Sequence, residues 1–286
     1  MTERWRLPQV SVCSTLGPVR PGAAAPVDRH GGDGQPWSGL GRRLAACLHL
    51  AVEPVGISFH QEAPGGVPAF DGPMSAPAPD GRRGRVAASC VFWVHGARRP
   101  FSTVAEDHGN CSVGMLTHGL AEPGELLGRG DLATLVGSGW VGEEALARLP
   151  RLRQRPAAVA YGPLGVGGLA PDVVLVRVNA RQLMVLRDAV PDMSIEGKPQ
   201  CHIVALAYEE GLVAASVGCA LSRARTGMRP EEMTCALPGR RLAEVVAAVE
   251  EAARLDRQVA GYAAADARRG LPGAGGSAKG EADELL

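Results

Sequence analysis

Residues 105–120 read AEDHGNCSVGMLTHGL; with Cys90 upstream and Cys201 and Cys219 far downstream, they gather the densest set of metal-binding or near-neutral titrating side chains in the chain. Asn110 is a good helix N-cap, and Val113, Met115, Leu116 and Leu120 after it form a short apolar helical pattern. A helix over 111–120 is therefore predicted, with the Cys111 thiol at its start. There the unpaired N–H groups and the positive end of the helix dipole favour thiolate, the form that binds metals and attacks electrophiles. Asp107 and His108 lie just outside the same turn, where they could ligate, move protons as catalytic groups, or cap. A plainer alternative stays open: Asp107 and Asn110 as caps, and Cys111 as a small buried hydrophobe.

A second constellation occupies residues 218–227, GCALSRARTG. A strand ending in Gly-Cys and followed by Arg223, Arg225 and Thr226 suits an anion, because guanidinium meets carboxylate or phosphate in a bidentate fork. Arg223 and Arg225 are thus candidate ligand-binding residues; the alternative is a solvated polar turn. Neither GxxxxGK[ST] nor a GxGxxG opening a helix after a strand is present, and the glycine-rich stretch at 162–168 leads into a strand, the wrong order for a phosphate cradle.

Four blocks, SCVFW at 89–93, FSTVAEDHGNCSVGMLTHG at 101–119, PDVVLV at 171–176 and SVGCALSRARTG at 216–227, resemble in the same order the prokaryotic domain-of-unknown-function family numbered one hundred and sixty-nine. The resemblance spans roughly residues 40–251 and implies that the family's cysteines are here Cys90, Cys111, Cys201 and Cys219. Cys13, Cys47 and Cys235 match none of them. The family is largely uncharacterised, so the resemblance implies a fold and a cysteine set more than an activity.

Those four cysteines contain no CxxC pair, the strong signature of a zinc knuckle or ribbon, so any site they make must be assembled by the fold. Cys111, Cys201 and Cys219 fall at predicted element boundaries and Cys90 inside a predicted helix, and the four are expected to converge. Four thiolates suit an iron–sulfur cluster, which is preferred here, or structural zinc; a cysteine nucleophile and inert buried thiols remain alternatives. His108 is the better fifth ligand, since His118 lies two helical turns, ~10 Å, beyond Cys111. Two functions follow. One is an enzyme with redox or lyase-like chemistry on a small anionic metabolite, with Arg223 or Arg225 holding the anion and Asp107 or His108 moving protons. The other is a non-catalytic module that binds a metal or small ligand.

The elements that must position these residues are legible in outline. Hydrophobic residues make up 45% of the 286, enough for a core, and aromatics only 4%, so that core is built mainly of Val, Leu and Ala. Lys and Arg number 30 against 30 Asp and Glu, which leaves no basic field for nucleic acid. No apolar run approaches the ~20 residues of a membrane helix, and the first residues lack the basic start and apolar run of a signal peptide, so none is expected. A cytoplasmic protein with a small-molecule partner is expected, its seven cysteines reduced.

Pro, Gly, Ala and Arg without periodicity predict a disordered tail over 1–38, and a second tail is expected over 259–286. Between them a single domain is expected over 39–258. Helices are predicted at 39–51, 86–97, 180–189, 200–210 and 240–257, with one or two more within 122–150. Strands are predicted at 55–60, 101–104, 157–161, 171–178, 212–217 and 232–237. The fold class is α+β: a mixed sheet of about five or six strands with helices packed mainly on one face, or two small lobes meeting at the cysteines.

Overall fold

In a computed structural model the chain is described over residues 35–270, apart from 127, 165, 167 and 168. Cys13, His30 and most of both expected tails lie outside the described residues. Helix α1 (Gln35–Leu48) leads into strand β1 (Val55–His60), the two-residue strands β2 (Ala76–Pro77) and β3 (Arg85–Val86), helix α2 (Ser89–Gly96) and strand β4 (Phe101–Thr103). A 3-10 turn over Ala105–His108 precedes four short helices, α3 (Ser112–Thr117), α4 (Pro123–Leu126), α5 (Gly130–Gly137) and α6 (Glu143–Arg148). Then come β5 (Ala158–Pro163), β6 (Val173–Val178), α7 (Ala180–Ala189) and β7 (Ser194–Glu196). Helix α8 (His202–Ala205), widened to a π turn over Leu206–Glu210, β8 (Ala214–Ser216), α9 (Ala220–Thr226), β9 (Met233–Pro238) and α10 (Leu242–Gly270) complete the order.

Seven strands form one mixed sheet in the order β4-β5-β1-β6-β9-β8-β7. Neighbours are antiparallel except β7 and β8, which run parallel. The central strand shows how the sequence builds two cores. In VVLVRV successive side chains alternate faces, and nearly all are apolar because both faces are covered. Val173 and Leu175 pack with Ile57, Tyr161, Phe92 and Ile203 on one face, and Val174, Val176 and Val178 with Leu44, Leu186 and Val245 on the other. Helices α2, α3 and α8 therefore cover the first face, and α1, α7 and α10 the second.

The α+β class and mixed sheet are as expected, with seven strands instead of five or six and with helices on both faces instead of mainly one. The added strand is β7, Ser-Ile-Glu, whose Ile195 is exposed and which carries no apolar pattern to announce it. Helix α10 runs to Gly270, past the boundary at 258, because residues 258–270 are rich in alanine, the strongest helix former. Helix α1 likewise starts at Gln35, before residue 39. Helix α7 begins where expected: the Asn179 side chain accepts the Gln182 N–H at 2.9 Å, and the Gln182 side chain accepts the Asn179 N–H at 2.8 Å.

One glycine bears directly on the site. A Cβ at Gly96 would stand 2.8 Å from Val55 Cγ1 and 3.1 Å from Tyr161 Cβ. Helix α2 thus rests on β1 and β5 at a distance that only glycine permits, which sets where its cysteine stands. Among the described residues no helix is long and apolar enough to cross a membrane.

Candidate functional site

Cys90, Cys111, Cys201 and Cys219 line a single pocket, although they are drawn from segments up to 129 residues apart in sequence. Each stands at a helix start. Cys90 lies inside α2 as expected, as its second residue, while Cys111, Cys201 and Cys219 are the N-caps of α3, α8 and α9. At α9 the sequence reason is a reciprocal cap. The Ser222 N–H meets Cys219 Sγ at 3.3 Å, and the Cys219 N–H donates to Ser222 Oγ at 3.2 Å. This makes Ala220–Thr226 a helix where none was predicted, with Gly218 at φ 87° making the bend before it.

At α3 the cap is Cys111, where Asn110 was expected. Asn110 instead donates from Nδ2 to Ser75 Oγ at 3.0 Å. The free donors at this helix start are taken by Asp131, which accepts from both the Ser112 N–H and the Ser112 hydroxyl at 2.7 Å. Burial alone would raise the Asp131 carboxyl, yet the two Ser112 bonds and Arg129 hold it below its ordinary value.

Three of the four, Cys90, Cys111 and Cys201, are held as thiols. Burial pushes Cys90 up to about 12 and Cys201 well above its ordinary value, and neighbouring cysteines add to both. Cys111 is also raised: burial there outweighs the Gly114 backbone and Arg225, contrary to the thiolate expected at a helix start. Arg225, in the last turn of α9, lines the same pocket and donates from Nη2 to the Asn110 carbonyl at 3.2 Å. Arg223 does not line it. Its guanidinium is spread over the carbonyls of Val217, Arg229 and Glu232, which ties the 217–232 segment together.

Asp107 and His108 are brought near the cysteines without lining their pocket. Asp107 accepts the Val104 N–H at 2.9 Å and pairs with Arg83 at 2.7 Å. His108 is fully buried, with Nδ1 2.8 Å from Ser89 Oγ and Nε2 2.8 Å from Thr103 Oγ1. Because the Thr103 hydroxyl donates to the Val159 carbonyl at 3.2 Å, it accepts from His108 Nε2–H, and Ser89 donates to Nδ1. Burial, with His118 adding to it, lowers His108 well below its ordinary value. The ring is therefore neutral, locked in one tautomer, and steadies Ser89 beside Cys90. His118 is buried too, with Nδ1 3.0 Å from the Gly114 carbonyl, and burial brings it to about 4.

Two residues that sequence reasoning missed organise the pocket. Gln200, 2% exposed, accepts from Ser222 Oγ at 2.7 Å and donates to Thr234 Oγ1 at 2.7 Å, joining the Cys201 and Cys219 helix starts to β9. Ser222 sits three residues after Cys219, a capping-box spacing that was there to be read with cysteine in the place of serine. Cys47 and Cys235 stand apart: both pack in the cluster on the other face of the sheet.

Among the described residues, no group of three or more His, Cys, Asp or Glu side chains is arranged to hold a single metal ion. The chain matches the DUF169 family, described as uncharacterised ArCR, over residues 43–248, a span that contains all four pocket cysteines. No curated protein and no solved structure matches it. With about seven-tenths of its length inside that match, the chain belongs to the DUF169 family.

Proposed function

We propose that the pocket is a cysteine-ligated metal centre, with Cys90, Cys111, Cys201 and Cys219 as ligands and an iron–sulfur cluster as the favoured occupant. The observation that carries this is the convergence of four thiols, each from a different helix start, on one pocket with an arginine at its edge. Thiolate sulfur is the donor that soft metals and iron–sulfur clusters select. The apolar walls from Val113, Leu135 and Leu221 suit such a group by limiting water. Structural zinc on the same four thiolates is the alternative occupant. The open space between them is about 20 Å³, room for about one water, so a cluster would have to displace side chains of the lining to enter. Arg225 would then offset part of the negative charge of four thiolates and hold a small anionic metabolite beside the centre, for redox or lyase-like chemistry in a reducing, cytoplasmic setting.

A second function, a non-catalytic binding module, is favoured by one specific observation: Asp107 and His108 are closed in by their own hydrogen bonds and offer no proton at the pocket. Anaerobic reconstitution with ferrous iron and sulfide, or with zinc alone, tests the centre. Cys111→Ala and Cys219→Ala are expected to lose the bound metal, while Cys47→Ala and Cys235→Ala retain the parent stoichiometry. Equal loading in all four variants would refute the ligand set.

A further inference from the structure

Beside the cysteine pocket lies a second, larger opening, and we infer that it binds a small organic carboxylate with an apolar body. Its volume is about 390 Å³, within the ~300–1,000 Å³ range of small-molecule sites. Cys90 and Gln200 line both this cleft and the cysteine pocket, so the two share a wall. Val52, Val94, Ala97 and Leu175 supply the apolar part of the lining, and the buried Trp93 adds an aromatic surface.

The charges at the cleft are Arg98, Arg177 and Glu53. Arg98 is exposed, and its guanidinium has no hydrogen bond or ion pair among the described residues. Arg177 meets Glu232 only at 3.7 Å, and that carboxylate is shared with Arg229 at 3.3 Å, so Arg177 is incompletely neutralised. A guanidinium at the rim beside apolar walls recognises a carboxylate whose remaining surface is hydrocarbon. That the cleft is the substrate side of a metal centre rests on the function proposed above; the binding itself does not.

Isothermal titration of the full chain with hexanoate, its uncharged isostere hexanamide, and inorganic phosphate tests the inference, with iron and sulfide measured on the same samples. Hexanoate is expected to bind and to outcompete both others. Arg98→Ala is expected to weaken it about tenfold, the usual worth of one charged hydrogen-bonding partner, and Ala97→Phe, which fills the cleft, to abolish it. Hexanamide binding as well as hexanoate, phosphate matching it, or Ala97→Phe leaving its affinity unchanged would each overturn the carboxylate assignment. Hexanoate binding to a chain without iron or sulfide would uphold the cleft and remove the centre. A loaded chain that ignores hexanoate would do the reverse.

Discussion

The pocket's acid–base character comes from burial more than from charge. Helix starts and Arg225 pull Cys111 towards thiolate, but burial wins, as it does at Cys90 and Cys201. A metal entering the pocket must therefore displace protons. Zinc or iron affinity is expected to fall steeply as pH drops from 8 to 6, and titrations in two buffers of different ionisation enthalpy should show proton release on binding; a pH-independent affinity would contradict protonated thiols. The two buried histidines act on stability in the opposite pH direction to thiols. Their folded-state values lie below the ordinary 6.5, about 4 for His118, so the unfolded chain takes up protons first. Their contribution is fully present above pH 6.5 and is lost as pH falls towards 4, by at most about 3 kcal/mol for His118. Thermal denaturation should show a falling midpoint between pH 6.5 and 5, with a shallower fall in His118→Gln.

Among the elements, α2 links packing to the site most directly. Because Gly96 touches Val55 and Tyr161, Gly96→Ala should push the helix off the sheet and carry Cys90 with it. The expected result is a loss of about 1–3 kcal/mol in chemical denaturation, together with reduced metal loading; an unchanged loading at reduced stability would mean that α2 does not set the position of Cys90. Elements with strong local signals were legible from sequence. Strand β1 and helix α7 have their predicted bounds, the latter because Asn179 and Gln182 cap each other. The convergence of the four cysteines in one pocket also followed from the sequence and the family resemblance. What was not legible depended on partners distant in the chain. Asp131 satisfies the start of α3, which no local pattern near Asn110 could reveal. Helix α9 was hidden because cysteine replaces the usual serine or aspartate cap. Arg223 and Arg225, expected to act together on an anion, part once that helix forms, with Arg223 turned to backbone carbonyls and Arg225 lining the cysteine pocket.

Among the described residues the sheet separates two groups of cysteines. Cys47 and Cys235 belong to the face covered by α1, α7 and α10, where Cys235 is wholly buried among Val176, Leu237 and Val245 and acts as a small hydrophobe. The other four gather on the opposite face, at the starts of short helices that the sheet holds in place. One face is thus core alone, and the other is core with a four-cysteine pocket set into it. The measurement that bears most directly on this is the iron, acid-labile sulfide and zinc content of the full chain purified without oxygen, read with its visible absorption. The account predicts stoichiometric iron and sulfide with a brown colour that is lost in Cys111→Ala and Cys219→Ala. A colourless chain free of iron, sulfide and zinc, whose two variants are as stable as the parent, would contradict it.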